Sequence, residues 1–345
     1  MQALVLVGGE GTRLRPLTLT RPKPALRLVD RPFIRFMVDW VARHGVDEVV
    51  MACGFRAEDL RSALGDEIPG EARIRYVEEP EPLGTAGPVR LAADRGLLNE
   101  RFMVLNGDVL TDLDLSALQA THSERRATAT IALYAVDDPS AYGLVHRGAD
   151  GEVLGFVEKP EPGQIDTDEV NAGAYVLERA VLDLIPAGRA VSIEREIFPR
   201  LAGNGLYGRR LAGYWMDIGT PERYLQASWD ILEGRVETDV TAHEGGVLIE
   251  PDAAVAAGAT VGPRAVVGSR CEIEEGATIR GSVLHDGCRV DANAEVLGSI
   301  LAQDVQIGEG ARVGPGSVVG DGARIAPGAA LGDDARVAPE EVVTA

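Results

Sequence analysis

From about residue 247 onward, one aliphatic residue recurs at every sixth position. The series runs Ile249, Val255, Val261, Val267, Ile273, Ile279, then Val290 and Val296, then Ile307, Val313, Val319, Ile325, Leu331, Val337 and Val343. Gly, Ala, Asp, Glu and Pro fill the positions between these anchors. A six-residue repeat with one aliphatic anchor and small turn residues predicts a parallel β-helix, in which each coil stacks its aliphatic residues on its neighbours. The intervals Ile279 to Val290 and Val296 to Ile307 each fall one residue short of two repeats. Leu284 and Leu301 take the missing inward positions, in the similar segments "GSVLHDGCRV" and "GSILAQDVQI", so these are slips in the repeat and not its end.

The first 235 residues have a different texture. Strands are expected at Ala3–Val7, Glu48–Ala52, Ile74–Val77, Phe102–Leu105 and Thr128–Val136, with helical patterns such as Phe33–His44 and Ala57–Leu64 between them. This alternation predicts a mainly parallel sheet covered on both faces, with ligands at the carboxyl ends of its strands. The expected organisation is therefore an α/β domain over 1–235, a linker over 236–246 and a β-helix over 247–345.

The opening stretch "LVLVGGEGTRLRPLTLTRPKP" (4–24) places a glycine-rich turn and several cations at one such strand end. It lacks the Lys-Ser/Thr pair of a P-loop and the third glycine of a dinucleotide-binding turn. Gly8, Gly9 and Gly11 leave backbone N–H groups open to phosphate oxygens, and Arg13 and Lys23 put cationic side chains beside them. A polyphosphate is the expected ligand. Further on, "VLNGDVL" (104–110) sets Asp108 just past an apolar strand, and "YWMDIGTPERY" (214–224) sets Asp217 in a similar frame. Two such carboxylates suit a Mg²⁺ ion shared with substrate phosphates. The net charge of −20 excludes a general nucleic-acid binder, whose affinity rests on neutralising phosphates. No apolar run approaches the ~20 residues of a membrane-spanning helix, and the first residues do not read as a signal peptide. Cys53, Cys271 and Cys288 fit no metal-ligand spacing and are expected to be reduced thiols in a cytoplasmic protein.

"GGEGTRLRPLTLTRPKP" resembles the signature of the sugar-1-phosphate nucleotidyltransferases, the nucleotide-sugar pyrophosphorylases. "EPLGTAGPVRLA" (81–92), "NGDVL", "YGLV" (142–145), "FVEKP" (156–160), "NAGAYVLE" (171–178), "SIEREIFPRL" (192–201) and "WMDIGTPERYL" (215–225) follow in the order found in that family. Within it, the chain is most similar to the two-domain mannose-1-phosphate guanylyltransferases, which end in a left-handed β-helix with similar slips. Beyond about residue 315 it continues in plain hexads, without the distinctive tail of that subfamily.

The resemblance implies a Rossmann-like catalytic domain and a role for each matching residue. Leu6, Gly8, Gly9, Gly11 and Thr12 wrap the nucleoside triphosphate, Arg13 faces the departing pyrophosphate, and Lys23 faces the reacting phosphates. Gly84 and Thr85 border the base and Gly107 lies against the nucleoside, while Asp108 and Asp217 hold Mg²⁺. Gly143, Glu158, Lys159 and Asn171 form the sugar-phosphate side, with Lys159 on the phosphate. Glu79, in "VEEPEPLGTAG", is the candidate reader of guanine, because a carboxylate accepts from both N1–H and the N2 amino group. The implied reaction is GTP plus mannose 1-phosphate giving GDP-mannose and pyrophosphate. Thymidylyl or uridylyl transfer to glucose 1-phosphate, or guanylyl transfer to a heptose or cyclitol phosphate, is the alternative. A silent regulatory paralogue would be expected to have lost Arg13, Lys23 or an aspartate, and none is lost. An acyltransferase role for the hexads would need a histidine base, and the repeat offers only His285, so assembly of a homo-oligomer is its expected role.

Overall fold

The computed structural model describes residues 1–54, 56–64, 73–158 and 160–344, with backbone alone at Glu158 and Pro162. The chain divides into two compact units, Met1–Gly9 with Met37–Trp215, and Glu10–Phe36 with Met216–Ala345.

The first unit is built on a nine-stranded sheet. Its strands are β1 (Gln2–Leu6), β2 (Glu48–Cys53), β3 (Arg73–Glu78), β4 (Arg101–Asn106), β5 (Ala129–Ala135), β6 (Gly143–Arg147), β7 (Val153–Glu158), β8 (Glu169–Glu178) and β9 (Leu206–Arg210). The spatial order is β7-β6-β8-β4-β1-β2-β3, with β5 pairing both β8 and β9. The run from β4 to β3 is wholly parallel, and Ala3, Leu4 and Val5 in its middle are fully buried, as expected of strands covered on both faces. Past β4 the pairings of β8 with β4, β5 and β6 are antiparallel. The expected strands are all present, each within a residue of its predicted ends, and the helices form over Phe33–Arg43 (α1) and Ala57–Leu64 (α2). Helix α3 (Gly87–Asp94) packs on β2 and β3, and α4 (Leu115–Arg125) packs on β5. Asp114 caps α4 by accepting from the Ala117 amide at 3.0 Å, satisfying one of its orphan donors. Phe102, Tyr175 and Phe198 are the largest residues of the core between these layers.

In the second unit the hexads form three sheets of short strands, every pairing parallel, the arrangement of a left-handed β-helix. Each anchor of the sequence series lies in its own strand, from Val247–Ile249 to Val342–Val343. Both slips fall at the corner leading from the third sheet back to the first. Gly281 (φ +58°) and Gly298 (φ +54°) make those tighter corners in the left-handed conformation that glycine adopts without penalty. The register also stacks Cys271 on Cys288 in the column of the core, both free thiols. Residues 10–36 complete this unit as a chain of single turns around buried Leu14, Leu17, Leu26, Leu28 and Phe33. Helix α5 (Pro221–Leu232) is capped by Thr220, whose side chain accepts from the Arg223 amide.

Candidate active site

In the first unit the parallel register sets the ends of β1, β2 and β4 level, Leu6 lying opposite both Ala52 and Asn106. Gly107 therefore leaves the sheet beside Val7, one residue before Gly8, and its amide donates to Leu6 O at 2.9 Å. A Cβ on Gly107 would stand 2.5 Å from that carbonyl, so only glycine fits. A Cβ on Gly8 would stand 2.5 Å from Glu79 Oε1, which places the Glu79 carboxylate directly beneath the glycine turn. Glu79 Oε2 accepts the Leu83 amide at 3.0 Å. Burial raises the carboxyl pKa above its ordinary value, and the Leu83 N–H partly opposes this. Gly9 is exposed, open to an incoming phosphate, and Asp108 follows Gly107 in the turn after β4.

The base-side and sugar-side candidates of this unit are joined by a residue the sequence did not single out. Thr85 Oγ1 donates to Glu194 Oε2 at 2.7 Å and accepts the Ile193 amide at 2.8 Å, fixing the segment after Gly84. Glu194 Oε1 meets Tyr175 OH at 3.5 Å, and Tyr175 OH accepts from Asn171 Nδ2 at 2.8 Å. Asn171 also accepts the Gly173 amide within an irregularity of β8 facing the end of β4. Asn106 Oδ1, buried beside that irregularity, has no hydrogen-bond partner among the described residues and is a second site candidate that the motifs alone did not mark. Gly143 pairs with Glu158 across β6 and β7, and Val170 pairs with Leu144, so Gly143, Glu158 and Asn171 share one region of the sheet. Tyr134 and Tyr142 pack on Trp215, whose indole N–H donates to Ala172 O at 2.8 Å. Lys159 lies outside the described residues.

The second unit carries Arg13 and Lys23. Gly11 (φ +63°) opens the turn Thr12–Leu14, and a Cβ there would press on Lys23 Cβ at 3.1 Å. Thr18 Oγ1 donates to Gly11 O at 2.9 Å, closing the loop on itself. Lys23 is 7% exposed, with Nζ 3.9 Å from Asp217 Oδ1. Arg13 packs its guanidinium over Gly219, where a Cβ would stand 2.6 Å from Nη2 and 3.1 Å from Asp217 Oδ1. Arg223 Nη1 approaches Asp217 Oδ2 at 3.4 Å. Asp217 thus sits among Arg13, Lys23 and Arg223, the last a cation that the sequence reading missed although "GTPERY" contains it. His285, the one histidine of the hexads, is buried and bonded through Nε2 to Tyr224 OH at 2.9 Å. Burial lowers its pKa to about 3, and a general base facing substrate it is not.

A nucleotidyl transferase family model matches residues 2–234, and a model of the GMPPB C-terminal domain matches residues 243–345. The chain belongs to the nucleotidyltransferase family. It is 41% identical over 296 residues to a mannose-1-phosphate guanylyltransferase of Mycobacterium tuberculosis, covering 85% of this chain and 82% of the relative. It is 37% identical over 324 residues to mannose-1-phosphate guanylyltransferase 1 of Arabidopsis thaliana, covering 91% and 89%. A mannose-1-phosphate guanyltransferase of Yarrowia lipolytica is 40% identical over 268 residues, covering 74% and 73%. Among solved structures, HddC from Yersinia pseudotuberculosis superposes with a TM-score of 0.58 at 26% identity, covering 67% of this chain and 99% of its own. The motif resemblance is therefore borne out, and the second match runs through the plain hexads to residue 345.

Members of the nucleotidyltransferase family use a divalent metal ion. Asp108 in the first unit and Asp217 in the second are each a hard oxygen donor of the type that such an ion takes alongside phosphates, and the cations beside Asp217 mark that carboxylate as a charge centre. No helix among the described residues is long and apolar enough to cross a membrane.

Proposed function

We propose that this chain transfers the guanylyl group of GTP to mannose 1-phosphate, giving GDP-mannose and pyrophosphate. The observation that carries the reading is 41% identity to a mannose-1-phosphate guanylyltransferase across most of both chains. The three relatives share that reaction in their names, which favours it over transfer to glucose, heptose or cyclitol phosphates and over a silent paralogue. The proposed organisation is a catalytic domain over 1–235, a linker over 236–246 and a β-helix over 247–345 that assembles the chain as a homo-oligomer. Three free thiols suit a reducing cytoplasm.

The sugar phosphate is ionised at neutral pH and needs no strong general base. Its oxygen attacks the α-phosphorus of GTP, the bond to the β-phosphate oxygen breaks, and pyrophosphate leaves. The obstacle is the approach of one anion to another, so catalysis reduces to positioning and charge neutralisation. Gly8, Gly9, Gly11 and Thr12 wrap the triphosphate behind Leu6, while Arg13 neutralises the departing pyrophosphate and Lys23 the reacting phosphates. Mg²⁺, held by Asp108 and Asp217, would supply further neutralisation of the phosphate charge. Gly84, Thr85 and Gly107 border the nucleoside. Glu79 reads guanine through lone pairs beyond the one that its Oε2 gives to the Leu83 amide, each carboxylate oxygen having two. Gly143, Glu158, Lys159 and Asn171 bind the sugar phosphate. The direct check is product analysis with GTP, mannose 1-phosphate and Mg²⁺. GDP-mannose and pyrophosphate should form one to one, and absence of a nucleotide sugar would refute the proposal.

A further inference from the structure

Lys23 lies between two arginines, Arg21 and Arg27, whose guanidinium groups bond to side chains of the hexads. Arg21 Nη2 bonds Asp321 Oδ2 at 2.8 Å and Gln303 Oε1 at 2.9 Å, and Thr20 Oγ1 donates to the same Asp321 oxygen. Arg27 Nη1 bonds Asp286 Oδ1 at 2.9 Å, and Nη2 bonds Glu250. Arg27 O accepts the Tyr224 hydroxyl, which in turn accepts from His285 Nε2. The acceptors are themselves fixed, since Asp321 Oδ1 takes the Gln303 amide at 2.9 Å and Asp286 Oδ1 takes the Ser269 amide at 3.0 Å.

These partners share one corner of the β-helix. Glu250 directly follows a first-sheet strand ending at Ile249, and Asp286, Gln303 and Asp321 each follow such strands by two residues, after Leu284, Leu301 and Val319. The hexads therefore stack Asp286, Gln303 and Asp321 as a polar column, with Glu250 at the same corner nearer its start. The arginine and carboxylate side chains of the contact are only 13–22% exposed, so solvent screens them less than an ordinary surface pair.

We propose that this corner is the anchorage of the phosphate-binding loop, making the β-helix a positioning element for Arg13 and Lys23 as well as a scaffold. The inference rests on the proposed roles of those two residues. Any movement of Arg21 is carried two residues along to Lys23, and from Lys23 to Gly11, against which it packs. Arg21, Arg27, Asp286 and Asp321 are thus positioning residues, acting on the reaction through the loop.

The test combines amide hydrogen exchange with turnover in the full-length chain. Asp321→Ala should speed exchange in residues 10–36 and leave β1, β2 and β4 at parental rates. It should lower kcat for pyrophosphate release by up to about 10²-fold, the scale for misplacement near 1 Å, with much smaller changes in KM. Asp321→Glu should restore most of the turnover. Asp321→Asn, which keeps the shape and loses the charge, should show the same pattern more weakly and serves if the alanine variant fails to fold. Arg289→Ala, removing a bond to Glu274 at 2.8 Å elsewhere on the β-helix, should do neither. Parental exchange over 10–36 in the folded Asp321 variants would overturn the inference. So would an equal kcat loss in Arg289→Ala. Exchange needs no substrate, so a parent inactive on GTP and mannose 1-phosphate would count against the proposed reaction alone.

Discussion

Gly219→Ala tests the placement of Arg13, with a smaller push on Asp217 Oδ1, 3.1 Å from the added methyl. A methyl group there would stand 2.6 Å from Arg13 Nη2 and 3.0 Å from its Cζ. Comfortable contact is about 3.5 Å, so the guanidinium must retreat by roughly 0.9 Å. Because it is the far end of an exposed, flexible side chain, the retreat costs the fold little. A displacement of that size in a charge-neutralising group costs on the order of 10²-fold in rate, or about 2.7 kcal/mol of barrier. The variant should therefore melt within a few degrees of the parent while kcat in a continuous pyrophosphate-release assay falls by that factor. Melting as in the parent with kcat within threefold would refute the placement of Arg13 on the departing pyrophosphate.

Asp108→Asn and Asp217→Asn should each lower turnover by orders of magnitude in a folded protein, and near-normal turnover at saturating Mg²⁺ would remove that residue from the site. Glu79→Gln should reduce the preference for GTP over dTTP by ~1–3 kcal/mol, read as a ratio of kcat/KM values, the scale of one lost hydrogen-bonding partner. Because burial raises the Glu79 pKa, KM for GTP in the parent should begin to rise on acidification at a higher pH than an exposed carboxylate would give, and Glu79→Gln should abolish that limb. His285 is neutral in the fold down to about pH 3 but charges near 6.5 when unfolded, so the unfolded chain binds the extra proton between these values. Stability should fall with falling pH across that window by up to about 1.4 kcal/mol per unit. Denaturant titrations of His285→Gln should show a shallower limb there, and an unchanged slope would contradict the burial argument.

The β-helix was legible down to its slips, because each coil repeats the same demand for one inward aliphatic and small corner residues. The strand ends that position Gly8 and Gly107 were legible for a similar reason, an apolar run followed by glycine. What periodicity could not carry was pairing across long separations. Arg21 and Arg27 gave no signal of their roles, since their partners lie 300 and 259 residues away at Asp321 and Asp286, inside repeats whose outward positions show no constraint of their own. Glu194 and Asn106 escaped notice because a single polar residue near a strand or helix end has many ordinary uses. The antiparallel half of the sheet was hidden as well, since alternation of strands and helices announces parallel pairing and says nothing of hairpins.

The central claim is the substrate pair, and steady-state kcat/KM measured by pyrophosphate release tests it most directly. The panel is GTP, dTTP, UTP and ATP, each with mannose 1-phosphate and with glucose 1-phosphate, at saturating Mg²⁺. The account predicts that GTP with mannose 1-phosphate exceeds every other pair, and that replacing GTP costs more than replacing the sugar. A parent that prefers dTTP or UTP, or that prefers glucose 1-phosphate with GTP, would contradict it.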